Sequence, residues 1–197
     1  MIAGGALNIA LWPIYTTMHG PGSVDQEGEF LGMGTLFWGS MMEGPPGLLI
    51  ALGLAGSYSR LTARGRWMAR VGYVLTMIGV LIPALINVAI LAVMPPLLAP
   101  IFGAGVILIA LANRRSSSLT RFSQLVLWGL GIVLLWSFLW LASVRPHVLD
   151  QIHGYRIYGV VANVLFGVGW ILFGVSLVTR GRTAETREPA VAVAPSA

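Results

Sequence analysis

The chain has 197 residues, 56% of them hydrophobic and 10% charged, with a formal net charge of +5. A water-soluble domain carries about a quarter charged residues, so this composition excludes an ordinary soluble enzyme and a disordered chain and leaves an integral membrane protein. Every basic side chain is arginine, and lysine and cysteine are both absent. Those absences remove Schiff-base cofactors, the nucleotide P-loop, iron–sulfur clusters, thiolate metal sites and disulfides. A chain that uses arginine in place of every lysine points to a GC-rich, bacterial genome.

A span of about 30 Å of hydrocarbon takes roughly 20 apolar residues. In chain order the candidate spans are Ile2 to Met18, Phe30 to Tyr58, Trp67 to Val93, Leu97 to Asn113, Phe122 to Val144 and Tyr155 to Thr179. They predict an all-α, six-helix transmembrane domain over residues 1–182, built from helical hairpins, with little mass outside the membrane. The first segment lacks the basic start and small-residue cleavage site of a signal peptide. Residues 183–197, rich in Ala, Val, Pro and Ser, read as a disordered tail.

Charge sets the expected orientation. Arg60, Arg64, Arg66 and Arg70 follow the second segment, Arg114, Arg115 and Arg121 the fourth, and Arg180, Arg182 and Arg187 the sixth. Each cluster lies two spans from the next, so all three share a side, and the positive-inside rule makes it cytoplasmic. Both termini then face the cytoplasm of a bacterial inner membrane. The net charge therefore calls for no nucleic-acid partner. Tyr58, Trp67, Tyr155 and Tyr158 fall near segment ends, as an interfacial belt requires.

Chemistry is expected on the outer side, where all three histidines and most acids map. In Met41-Met42-Glu43-Gly44-Pro45-Pro46-Gly47, two prolines and two glycines are expected to break or kink the long second segment beside a carboxylate. Glu43 is thus the candidate acid or base, or else a cap on a helix beginning at Pro45, with Phe30 to Met42 a separate interfacial or re-entrant piece. His147, Asp150 and His153 share one helical face and could ligate a metal, but a short amphipathic helix on the membrane surface explains the same spacing. Asn8, Asn87 and Asn163 lie inside three different spans, where they line a pocket or hydrogen-bond across helix contacts. The aromatic fifth segment, with Trp128, Trp136 and Trp140, faces lipid, a pigment or a partner subunit.

Three function classes follow. The favoured one is a non-catalytic subunit, or a lipid- or apolar-cofactor-binding component, of a larger membrane complex. The alternative is a membrane-embedded enzyme acting on a lipid or isoprenoid substrate by acid–base chemistry around Glu43. A small transporter gated at the proline break comes last, because the chain shows no clear inverted repeat. The cofactor stays open among lipid, pigment and an outer-side metal, and the expected partners are membrane lipids and other membrane subunits.

Overall fold

The computed structural model describes residues 1–18, 29–62, 67–91, 98–114, 119–143 and 163–185. These form seven helices and one two-stranded hairpin. In chain order they are α1 (Ile2–Met18), β1 (Glu29–Phe30), β2 (Met33–Gly34), α2 (Thr35–Gly56), α3 (Tyr58–Leu61), α4 (Trp67–Ile90), α5 (Ala99–Ala112), α6 (Arg121–Ser143) and α7 (Leu165–Glu185). The all-α class expected from composition is what the described residues show. Among the described residues one helix, α4, is long and apolar enough to cross a membrane. Shorter apolar stretches occupy Ile2–Trp12, Ala99–Ala112, Arg121–Trp136 and Leu165–Thr179.

The six long helices close into a ring. α1 packs on α2, α2 on α4, α4 on α5, α5 on α6, α6 on α7, and α7 back on α1. Residue pairings show that every neighbour is antiparallel: Gly4 meets Pro46 while Gly53 meets Met1, and Gly44 meets Val88 while Gly47 meets Ala84. Short connections between sequential helices lead to this up-and-down order. The ring is tight because a glycine sits in each seam. A Cβ on Gly4 would lie 2.6 Å from the Pro46 carbonyl oxygen, and one on Gly105 would lie 2.5 Å from the Thr76 nitrogen. Small residues let helix backbones approach this closely, and in lipid such packing replaces the hydrophobic drive between helices.

Across the ring, α5 and α7 meet through aromatic side chains. Phe102 stacks on Trp170 at 5.8 Å, and Phe166 and Phe173 meet Trp170 edge to face. Phe166, Trp170 and Phe173 recur at helical spacing, so one face of α7 supplies three of the four rings. Trp170 and Phe173 are fully buried.

Element boundaries depart from expectation at three places. The second segment does not break at its prolines: α2 runs unbroken from Thr35 to Gly56 with Pro45 and Pro46 inside it. Phe30 to Met42 is accordingly no separate helix, since residues 29–34 form the hairpin and the remainder begins α2. That hairpin turns through Leu31 and Gly32, both with positive φ, the geometry of a two-residue type I′ loop. α5 covers only 14 residues, starting at Ala99, where Pro100 suits the first turn. α7 continues to Glu185, so residues 183–185 extend a helix into the expected tail.

Candidate functional site

Glu43 occupies the seam between α2 and α4. Its Oε2 accepts a hydrogen bond of 2.9 Å from Asn87 Nδ2, and Asn87 itself is fully buried. Glu43 as a whole residue is half-buried. Its place in the seam follows from the antiparallel pairing that also sets Gly44 against Val88.

One residue earlier, Met42 shows how α2 tolerates its prolines. Pro46 has no N–H, so the Met42 carbonyl, four residues before it, has no helical donor. Asn8 of α1 fills that role: its Nδ2 donates to the Met42 oxygen at 3.2 Å. Proline inside an apolar helix persists where a neighbouring helix satisfies the freed group. Asn8, Met42, Glu43 and Asn87 thus form a polar layer linking α1, α2 and α4. The Asn8 Oδ1 is buried without a hydrogen-bond partner among the described residues.

Of the three asparagines singled out from sequence, Asn8 and Asn87 therefore sit in helix seams and bond across them. Asn163 is half-buried in a π-helical turn just before α7, the helix that closes the ring on α1. His147, Asp150 and His153 lie outside the described residues. Among the described residues no three His, Cys, Asp or Glu side chains gather as a metal site. Trp128 is half-buried and Trp136 stands at the surface of α6.

A second polar group, at the opposite end of the ring, was not anticipated. Asn113 Nδ2 donates to the carbonyls of Leu61 and Ile109, both at 2.9 Å, and the Asn113 carbonyl accepts from Gln124 Nε2 at 2.8 Å. Thr120 caps α6 by accepting from the Ser123 N–H at 3.0 Å. Ser123 meets Ser176 of α7 at 2.8 Å, and Arg60 Nη1 donates to the Leu177 carbonyl at 2.7 Å. All four arginines described with their side chains, Arg60, Arg70, Arg114 and Arg121, occupy this same end and are exposed. Glu29, in the hairpin, lies at the other end. The signal available in the sequence was a handful of polar residues at the borders of apolar runs, which spacing alone does not pair.

A cleft of about 530 Å³ opens at the arginine end, where the start of α1 lies between the C-terminal parts of α2 and α7. Ile2, Gly56, Ser57, Arg60, Leu177 and Val178 are among its walls. No family model matches the chain, and no curated protein or solved structure is significantly similar to it.

Proposed function

We propose that the chain is a six-span protein of a bacterial inner membrane, with its arginine end cytoplasmic, serving as a non-catalytic lipid- or partner-binding component of a membrane complex. The observation that carries this reading is the large apolar exterior of the ring, with polar side chains buried inside it. Outward positions are large and apolar: Leu52 and Leu125 are each 69% exposed and Ile90 66%. Inward positions hold polar side chains beside an apolar core: Asn87, Thr76, Ser40 and Ser123 are fully buried, as are Ile50, Trp170 and Phe173. Water would not select that exterior, because exposed apolar area costs about 25 cal/mol per Å². Lipid tolerates the apolar exterior, and polar groups within it must find partners inside. Exposed Trp67 and Tyr58 at the arginine end fit the interfacial belt.

α2 has the length to span, but Glu43, its two prolines and its glycines dilute its hydropathy. α1, α5 and the described apolar parts of α6 and α7 are short, and in this reading the bundle as a whole, not each helix singly, matches the membrane. The polar side chains serve to join helices: Glu43, Asn8 and Asn87 are occupied in seams.

Extraction decides the first half of the proposal. The protein should stay in the pellet after alkaline carbonate washing, and reporters fused after Arg182 and within residues 19–28 should report opposite sides. Release by carbonate would refute it. The second half rests on Glu43→Gln, in which an amide oxygen can still accept from Asn87. The variant should fold and bind its native co-purifying components as wild type does.

One observation favours the enzyme reading as second choice. Glu43 is a carboxylate inside a helix seam, held at 2.9 Å by the buried Asn87 amide, a setting in which it could act as acid or base toward a lipid substrate. Under that reading Glu43→Gln would abolish turnover while the fold survives.

A further inference from the structure

From the cleft at the arginine end we infer a binding site for one anionic phospholipid of the cytoplasmic leaflet, its phosphate on Arg60 and its acyl chains over the start of α1. The inference rests on the six-span reading above and adds to it a place and a ligand class.

Four observations converge there. The cleft, about 530 Å³, is lined by Arg60, and among the described residues no acidic side chain stands in its walls to compensate that charge. Arg60 is held in place, because Nη1 donates to the Leu177 carbonyl of α7 at 2.7 Å. A guanidinium has five N–H donors, and no other protein acceptor takes the remaining ones among the described residues. Gly56 leaves room beside it: a Cβ there would meet nothing within 4 Å. Ile2, Leu177 and Val178 continue the same cleft as an apolar wall, with Val178 half exposed.

A fixed, partly unused guanidinium next to open space suits a phosphate oxygen, to which arginine offers a strong, directional pair of bonds. The apolar wall suits what a free phosphate lacks. In the proposed orientation the cleft opens at the depth of the cytoplasmic headgroups, where anionic lipid is found. Together, charge and apolar lining select a lipid over an inorganic anion.

Native mass spectrometry of the purified full chain, mixed with phosphatidylglycerol or phosphatidylcholine of identical acyl chains, tests the site. Wild type should retain one phosphatidylglycerol with about tenfold preference, the scale of one charge-assisted contact. Arg60→Gln should lower that preference to about unity. Gly56→Trp, which fills the cleft where no backbone stands in its way, should lower retention of both lipids and guards against misfolding of the first variant. Equal retention by wild type, or a preference that survives both substitutions, overturns the site. Millimolar inorganic phosphate should fail to displace the lipid; binding of phosphate without a lipid preference would overturn the lipid assignment. Carbonate-resistant membrane integration with no lipid preference would sink the site alone, whereas carbonate release would sink the six-span reading as well.

Discussion

At the arginine end, α3, α5 and α6 are joined through carbonyls that helices leave unpaired at their last turns. Leu61 and Asn113 lie at or just beyond such ends, and their oxygens accept from Asn113 and Gln124. In the opposite half, the acceptor arises within a helix, at Met42, because Pro46 takes away a donor. Both regions place an amide where the backbone has lost its partner. They differ in arrangement: the arginine end has several bonds in series, whereas in the α1–α2–α4 layer Asn8 reaches Met42 and Asn87 reaches Glu43 across separate seams. Polar residues in this apolar chain are thus read best by asking which carbonyl each one completes.

The largest effect should come from Asn113. Its amide serves two carbonyls at once, and the residue is 3% exposed; Asn113→Leu strands the Leu61 carbonyl, whereas the Ile109 carbonyl keeps the backbone N–H of residue 113 at 3.1 Å. A loss of about 1–2 kcal/mol is expected. Reversible unfolding in mixed micelles would measure it, and a loss below the single-bond average for membrane helices, about 0.6 kcal/mol, would show that solvent already reaches the Leu61 carbonyl.

A cycle on Asn8 and Pro46 targets the opposite half. Asn8→Ala should cost about 1 kcal/mol in the native chain. In a Pro46→Ala background residue 46 regains its N–H, the Met42 carbonyl finds its helical donor, and the same substitution should cost much less. A coupling near 1 kcal/mol is the expected result. Equal costs in both backgrounds would mean that Asn8 does something other than compensate a proline.

This layer also shows how far sequence reasoning reaches. Helix positions were legible because apolar runs and arginine clusters are properties of segments: α1 falls where expected, and α4 and α6 begin within a residue of it. The continuity of α2 was not legible, because the Met42 carbonyl that Pro46 leaves without a donor is satisfied by Asn8, 34 residues away. Asn8, Asn87 and Glu43 could be picked out as polar groups in apolar surroundings, yet their pairing depends on which helices adjoin in the ring. The same limit hid Arg60 and Leu177, which are 117 residues apart in sequence. The helical spacing of Phe166, Trp170 and Phe173 was readable, but that Phe102 of α5 completes their cluster was not.

The smallest effect should lie in the hydroxyl relay between α6 and α7. Ser176 Oγ donates to the Phe173 carbonyl at 2.7 Å, which uses its one hydrogen. The 2.8 Å contact with Ser123 must then have Ser123 as donor. With its own hydrogen spent, Ser123 can only accept from Thr120 Oγ1 at 2.7 Å. The direction of the relay is therefore fixed from Thr120 to Phe173, although no hydrogen position is needed to deduce it. Ser123→Ala removes both inner links and should cost more than Ser176→Ala, after which Ser123 keeps its bond from Thr120. The double variant should reveal a coupling of about 0.6 kcal/mol, the mean for hydrogen bonds between membrane helices. Strict additivity of the two substitutions would show that the serines touch without stabilising the seam, leaving Gly169 against Leu130 to hold α6 to α7.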